Sequence, residues 1–241
     1  LECNASDAIS WTESHVVVIR QGVALWFVAA GEGGSRRFEN GRSGTEFTMS
    51  RMDRELRMEI SCESPDGSDE TLVRLGREIL QMEGDAVVDA AARLDRAFAR
   101  AVRLVYACEG NVIVTGMGKA GIVGKKIMAT LGSTGTHSHY LHPAEAVHGD
   151  LGRIRENDVV LVLSQSGETE EVVRILPVLE RWRIPVIAIT ARADSTLGTA
   201  ATVALSIGEL READRLGLAP STSTTVMLAV GDALALVVSR L

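Results

Sequence analysis

The sequence predicts an α/β protein, a three-layer α-β-α domain in which a doubly wound, five-stranded parallel sheet lies between helices. Two observations support this prediction. From Gly110 to Leu241, short apolar segments alternate with longer segments in which apolar residues recur every three or four positions. The short segments are continuous apolar runs, such as VVLVL from Val159, and such runs are typical of parallel strands buried on both faces.

The first 65 residues differ from this pattern, and we treat them as a separate leader before a domain spanning residues 66–241. Residues 31–47, GEGGSRRFENGRSGTEF, are rich in glycine and follow neither the helical nor the strand period, which predicts loop or disorder. The chain begins at Leu1, whereas Met49 and Met52 stand close to the more regular sequence. We therefore expect much of the leader to be translated upstream sequence or an unstructured extension.

A helical pattern begins after Ser68, which is a suitable N-cap followed by acidic residues. Apolar residues recur at helical spacing from Leu72 to Val105, and the pattern ends at Gly110. We expect two helices with a break near Gly84, or one long bent helix.

The alternating region that follows contains the strands and most of the helices. The predicted strands are NVIVT, SHYL, DVVLVLS, PVIAIT and TVALSI. The predicted helices are AGIVGKKIMATLGS, ETEEVVRILPVLERW (which Pro177 could end early), ADSTLGTAA and the closing TSTTVMLAVGDALALVVSRL. The closing helix is apolar on nearly all sides and must be buried, for which a subunit interface is one possibility. In such a fold, ligands bind beyond the carboxyl ends of the strands.

Composition and charge exclude several classes of function. The chain is 46% hydrophobic and has a net charge of −7, which argues against a nucleic-acid partner because the phosphate backbone requires a basic surface. No apolar run reaches the roughly 18 residues of a membrane helix. The three cysteines are scattered, which favours a reduced, cytoplasmic protein without a disulfide framework.

The loop after the first strand of the alternating region carries Gly116, Gly118 and Gly121 in the G-x-G-x-x-G spacing of dinucleotide-binding folds. A dinucleotide site also needs an acidic residue at the end of the next strand, where this chain has Tyr140-Leu141-His142. Lys119 lies inside the loop, where it could neutralise one phosphate or a developing oxyanion. The residues therefore argue against a nicotinamide or flavin cofactor.

Two hydroxyl-rich segments follow other strands and lead into helices: Ser164 to Thr169, which includes Ser166, and Ser221 to Thr225. Free N–H groups at a helix start bind anions, and nearby hydroxyls and glycine make a suitable phosphate site. Ordinary N-capping favours the same residues, so both interpretations remain open from the residues alone. Similarly, His142 and His148 could bind zinc together with a neighbouring acid, but their spacing matches no closed structural site.

Six motifs, taken together in their order and spacing, resemble the sugar isomerase (SIS) domain, and most closely the arabinose-5-phosphate isomerase family. They are GMGKAG, STGT, HPAEAVHGDLG, SQSGET, GLAPSTSTT and GDALA, and the resemblance covers about residues 70–241. It implies a flavodoxin-like five-stranded sheet, a homo-oligomer (a tetramer or a dimer), and interconversion of D-arabinose 5-phosphate and D-ribulose 5-phosphate. In family members this reaction supplies lipopolysaccharide synthesis.

The resemblance also implies roles for individual residues. Lys119, Glu171 and Glu212 would be catalytic, and His142 would be the histidine that contacts zinc in the family, as an incidental or inhibitory metal. No cofactor would be required. The residues implied to bind the sugar phosphate are Gly135, Thr136, His148, Ser164, Ser166, Thr169, Ser221, Thr222, Ser223 and Thr224.

Two departures from the family leave alternatives open. The family's fourth catalytic residue is a histidine shortly after the closing helix, whereas all five histidines here lie upstream of it. The paired CBS domains of many members are also missing from these residues, so we expect a naturally short form or a truncation. The alternatives to the main hypothesis are an SIS isomerase for another sugar phosphate and a sugar-phosphate sensor without catalysis.

Overall fold

The computed structural model describes Trp11–Thr12, His15–Arg20, Val23–Val28 and residues 67–241. The chain divides into two compact units, Leu1–Cys62 and Glu63–Leu241. In the first unit, strands β1 (Trp11–Thr12), β2 (His15–Arg20) and β3 (Val23–Val28) form an antiparallel sheet in that order. Residues 31–47, predicted to be loop or disorder, lie outside the described residues, so that prediction remains open.

The second unit contains the predicted five-stranded parallel sheet. Its strands are β4 (Val112–Gly116), β5 (Ser138–Tyr140), β6 (Val159–Leu163), β7 (Val186–Thr190) and β8 (Val203–Ser206). Each strand lies in a segment that the apolar runs predicted. The order is β5-β4-β6-β7-β8 and every pairing is parallel, which confirms the flavodoxin-like arrangement.

Helices cover both faces of this sheet. They are α1 (Asp69–Arg93), α2 (Arg96–Tyr106), α3 (Gly118–Ser133), α4 (Pro143–Val147), α5 (Glu170–Arg181), α6 (Thr196–Ala200) and α7 (Thr222–Val238). Helix α5 continues through Pro177, whose ring is exposed. Short helix α4 and the 3-10 turn Asp150–Arg153 were not predicted from the sequence. No helix in residues 67–241 is long and apolar enough to cross a membrane.

The break in the first helical segment lies elsewhere than predicted. The N-cap prediction is confirmed, because Ser68 Oγ accepts a hydrogen bond from the Thr71 N–H at 3.4 Å. Helix α1, however, passes through the exposed Gly84 and ends at Arg93. Asp95 then starts α2 by accepting a hydrogen bond from the Ala97 N–H at 2.7 Å. One exposed glycine costs a helix only about 1 kcal/mol, whereas a side-chain cap specifies a new start.

Two apolar clusters lie on opposite faces of the sheet. Val112 and Val114 of β4 face the cluster formed with α1, α2, α3 and α7. Ile113 faces the other cluster, formed with α4, α5 and α6. The helix that follows β4 therefore covers one face, and the helix that follows β6 covers the other.

Candidate active site at the carboxyl edge of the sheet

The chain turns to opposite faces of the sheet where neighbouring strands β4 and β6 end. Gly116 and Leu163, the last residues of these strands, are paired in register. The chain after Gly116 enters α3 on one face, and the chain after Leu163 leads to α5 on the other. This is the topological switch point at which sheets of this type bind ligands. Lys119 follows one strand and Ser164 follows the other, so the structure brings these two predicted residues to the same edge of the sheet.

The glycine loop is a close-packed turn. Gly118 has a φ of +57°, which side chains rarely allow, and the exposed Lys119 follows it in the first turn of α3. A Cβ atom on Gly116 would lie 3.0 Å from the Leu163 carbonyl oxygen, and one on Gly121 would lie 2.4 Å from the Gly116 carbonyl oxygen. The glycines thus allow α3 to begin directly against the strand ends, and this brings Lys119 to the edge of the sheet.

The loop after β6 is organised around the buried Ser164. Its Oγ accepts a hydrogen bond from the Gly167 N–H at 3.2 Å and lies 2.8 Å from Thr169 Oγ1. Gly167 has a φ of +69°, and a Cβ atom there would lie 2.0 Å from Ser195 Oγ. The bond between the Ser164 and Thr169 hydroxyls uses one of their two protons, so the other can be donated to a ligand. Helix α5 begins immediately afterwards and adds its free N–H groups, which suits an anion.

Ser166 and Glu168 shape the outer side of this loop. The exposed Ser166 accepts a hydrogen bond at Oγ from the Glu168 N–H at 3.1 Å. Glu168 in turn accepts one at Oε1 from the Thr196 N–H at 2.8 Å, at the first residue of α6. This bond holds the pKa of Glu168 below its usual value. The sequence offered no signal for this contact between two segments that are distant along the chain.

Glu171 lies in the first turn of α5 and is half-buried. Within residues 67–241 its carboxylate has neither a hydrogen bond nor an ion-pair partner. It therefore directly follows the Ser164–Thr169 loop, next to any ligand that this loop would hold.

Glu212 has a very different environment, because its carboxylate is buried at the start of α7. Oε2 accepts hydrogen bonds from the backbone N–H groups of Ser221 at 2.8 Å and Ser223 at 3.2 Å. The Ser223 hydroxyl donates to Oε1. Glu212 is thus the anion that occupies this helix start, where the positive end of the helix dipole favours a negative charge.

Most hydroxyl groups of residues 221–224 form hydrogen bonds within the protein. Thr224 donates its hydroxyl to the Ser221 carbonyl oxygen at 2.8 Å, and Ser221 Oγ accepts a hydrogen bond from the Ala213 N–H at 3.1 Å. Thr222 Oγ1 is buried and has no partner within the described residues. The expectation that Ser221 to Thr224 hold a sugar phosphate stays a prediction, and a phosphate there would compete with the Glu212 carboxylate.

Helices α3 and α7 bring Glu212 towards Lys119. A Cβ atom on Gly231 would lie 2.2 Å from Ile127 Cδ1, so the two helices touch. Ile127 and Gly231 lie equally many residues after the first residues of α3 and α7, and both helices begin at the carboxyl edge of the sheet. Their axes are separated by roughly 8–10 Å at this contact. Lys119, Glu171, Glu212 and the Ser164 loop consequently share one edge of the sheet.

The histidine segment follows the edge strand β5. His142 precedes α4, and its Nδ1 is buried without a hydrogen-bond partner among the described residues. His148, Glu145 and Asp150 are exposed. Across residues 67–241 no three histidine, cysteine or acidic side chains come together as a possible metal site. His142 can offer one ligand atom, so the expectation that it contacts an incidental or inhibitory zinc ion stays a prediction.

Gly135 and Thr136 lie elsewhere in the chain's fold. They precede β5, and the adjacent His137 carbonyl oxygen accepts from the N–H of Val112, the first residue of β4. They are therefore at the amino edge of the sheet, separated from Lys119 by the length of β4, which is roughly 16 Å at about 3.3 Å per residue. Within one chain, the structure does not bring them to the other predicted site residues.

Comparison with known proteins agrees with this fold. The SIS domain model matches residues 105–237, so the chain belongs to the SIS domain family. The chain is similar to arabinose 5-phosphate isomerase KdsD of Yersinia pestis, with 46% identity over 160 residues, covering 66% of this chain and 49% of that protein. It is 49% identical to KdsD of Pseudomonas aeruginosa over 164 residues, covering 68% of this chain and 50% of that protein.

A solved structure is also similar. The E. coli CFT073 protein c3406 in complex with A5P has a TM-score of 0.69 and 40% identity, and the match covers 71% of this chain and 92% of that one. The family resemblance inferred from the six motifs is thus confirmed. The chain spans about half the length of the curated relatives it matches.

Proposed function

We propose that this protein is an aldose–ketose isomerase that interconverts D-arabinose 5-phosphate and D-ribulose 5-phosphate. The observation that carries the proposal is that Lys119 and the Ser164–Thr169 loop follow neighbouring strand ends at the switch point, on the edge that also holds two carboxylates. The similarity to arabinose 5-phosphate isomerases and to a protein bound to A5P supports this choice of substrate.

The reaction moves one proton between C1 and C2 through a cis-enediolate. A carboxylate removes the C2 proton of the open-chain aldose and returns it to C1, while the C1 oxygen gains a proton and the C2 hydroxyl loses one. We assign the proton transfer between carbons to Glu212 and the supporting role to Glu171, and the reverse assignment is the alternative. The Lys119 ammonium stabilises the negative charge on the enediolate oxygen.

We place the substrate phosphate at Ser164, Ser166 and Thr169, next to the start of α5. The loop has a hydroxyl proton free for donation and no internal carboxylate occupying its centre. The start of α7, in contrast, already binds Glu212. The reacting carbons then extend from the phosphate towards Lys119 and α7.

We further propose a cytoplasmic homotetramer that supplies lipopolysaccharide sugar synthesis. Helix α1 supports assembly, because its apolar residues Leu72, Val73 and Leu80 are 53%, 52% and 71% exposed. If Gly135 and Thr136 line the substrate, their place at the amino edge requires that they reach it from a neighbouring subunit.

The test is an isomerase assay on arabinose 5-phosphate in deuterated water, which should give ribulose 5-phosphate labelled at the exchanging carbon. Lys119→Ala should lower kcat by about 10²- to 10³-fold. Lys126→Ala is the matched control, because Lys126 is half-exposed on the same helix and pairs with Asp232. Sugar-phosphate binding without turnover would favour a sensor, and turnover of a different sugar phosphate alone would favour another SIS isomerase.

A further inference from the structure

The side chain of Tyr140 connects β5 to the end of β4. Tyr140 is the last residue of β5, and its hydroxyl donates a hydrogen bond of 2.6 Å to the Gly116 carbonyl oxygen. Gly116 is the last residue of β4, and only Met117 and Gly118 separate it from Lys119. The hydrogen bond therefore fixes the peptide group from which the lysine-bearing turn begins.

The glycine spacing provides the room for this tyrosine. A Cβ atom on Gly121 would lie 2.5 Å from Tyr140 Oη and 2.4 Å from the Gly116 carbonyl oxygen, so any side chain there would disrupt the bond. A Cβ atom on Gly124 would lie 3.6 Å from Tyr140 Cε2, in contact with the ring. The third glycine of G-x-G-x-x-G thus accommodates a protein hydroxyl at the point where a dinucleotide-binding fold requires close backbone packing.

Two further features favour a fixed, protonated side chain at Tyr140. Lys125 Nζ lies 5.0 Å from the centre of the Tyr140 ring, within the range of a cation–π contact. Burial raises the pKa of Tyr140, so the hydroxyl is protonated and available as a donor at neutral pH.

We propose that Tyr140 is a positioning residue that acts through Lys119. By binding the Gly116 carbonyl oxygen, it fixes the orientation of the Gly116–Met117 peptide and therefore the direction in which the turn presents the lysine ammonium. The inference rests on the proposed function for its catalytic consequence. Its structural consequence, a defined position of Lys119, is independent of that function.

The first test compares Tyr140→Phe, which removes only the hydroxyl, with Tyr106→Phe at the chain's other tyrosine, which is 59% exposed. Tyr140→Phe should lower kcat by about three- to tenfold, the size of one hydrogen bond, with KM changed less than twofold. Tyr106→Phe should leave both constants unchanged. A raised KM with unchanged kcat, or unchanged constants in Tyr140→Phe, would overturn the proposal.

The second test separates action through Lys119 from general loosening of the fold. In a Lys119→Ala background, Tyr140→Phe should cause no further loss of kcat, because the group it positions is already gone. An equal loss in both backgrounds would mean that Tyr140 acts by another route. Melting curves of all four proteins show whether each variant is folded.

A third measurement does not depend on turnover. The chain has three lysines, Lys119, Lys125 and Lys126, so NMR of the protein with ¹³C-dimethylated lysines can follow each ammonium separately. Tyr140→Phe should shift the Lys119 signal and leave the Lys126 signal in place. If the wild-type chain isomerises no sugar phosphate but the Lys119 signal shifts, the proposed function fails while the positioning role stands. An unshifted Lys119 signal refutes the positioning role whatever the activity.

Discussion

Ser223 holds Glu212 by two bonds, since its backbone N–H donates to one carboxylate oxygen and its hydroxyl donates to the other. Both groups are buried at the first turn of α7. This pairing makes the carboxylate and the helix a single unit, so the orientation of Glu212 is determined by the packing of α7 against α3. A catalytic carboxylate benefits from such support, because proton transfer depends on its distance and direction from the substrate.

Removal of the Ser223 hydroxyl should therefore lower turnover more than binding. For Ser223→Ala we expect kcat to fall by about tenfold with KM nearly constant, since the lost bond orients the base rather than the phosphate. Steady-state kinetics provide the measurement, with Ser239→Ala at the exposed end of α7 as the control. If KM rises instead, Ser223 contacts the substrate directly, as the family resemblance implied.

Substitution of Glu212 and substitution of Glu171 should have different effects on deuterium exchange between the substrate and the solvent. Glu212→Gln should slow both isomerisation and solvent exchange by at least about 10²-fold, because an amide cannot accept the carbon-bound proton. Glu171→Gln should slow isomerisation while exchange remains measurable, because the proton-transferring group is still present. The exposed Glu209→Gln serves as a control near the same loop. The opposite pattern for the two variants would assign the base to Glu171.

Gly167→Ala should damage the phosphate loop. The new methyl group would lie 2.0 Å from Ser195 Oγ at a residue with a φ of +69°, so the loop must shift. We expect a loss of about 1–3 kcal/mol in the free energy of unfolding, together with weaker binding of sugar phosphate. Gly76→Ala, in exposed α1 with no atom within 4 Å of the new methyl group, should instead stabilise by about 0.4–1 kcal/mol. Equal effects of the two substitutions would contradict this account of the loop.

Glu168 should make stability depend on pH. Its pKa is lowered in the folded protein by the Thr196 N–H, so its stabilising effect is complete above its unfolded pKa of about 4.3. The effect is lost as the pH falls through the lower folded pKa. Thermal unfolding should give wild type a higher Tm than Glu168→Gln at pH 7, with a difference that shrinks below about pH 4. Glu156→Gln, at an exposed residue, is the matched control for the charge change.

Much of the fold could be predicted because its signals are local. The continuous apolar runs of β4, β6 and β7 indicate burial on both faces, and the N-cap at Ser68 is readable from neighbouring residues. The sequence predicted a helix break near Gly84, whereas the structure has the break at Asp95. The prediction was wrong because a glycine weakens a helix but does not by itself end one. The ordered motifs, taken together, also identified the family.

Local patterns along the chain predict the succession of strands and helices and the residue types at the strand ends. Which of those residues meet depends on the tertiary structure. The tertiary structure places Lys119 beside the Ser164 loop and Glu212 at the start of α7. It places Gly135 and Thr136 at the opposite edge of the sheet. It also packs Tyr140 against Gly121. Periodicity and capping act within a few residues, whereas these contacts depend on strand order and helix packing between segments far apart along the chain.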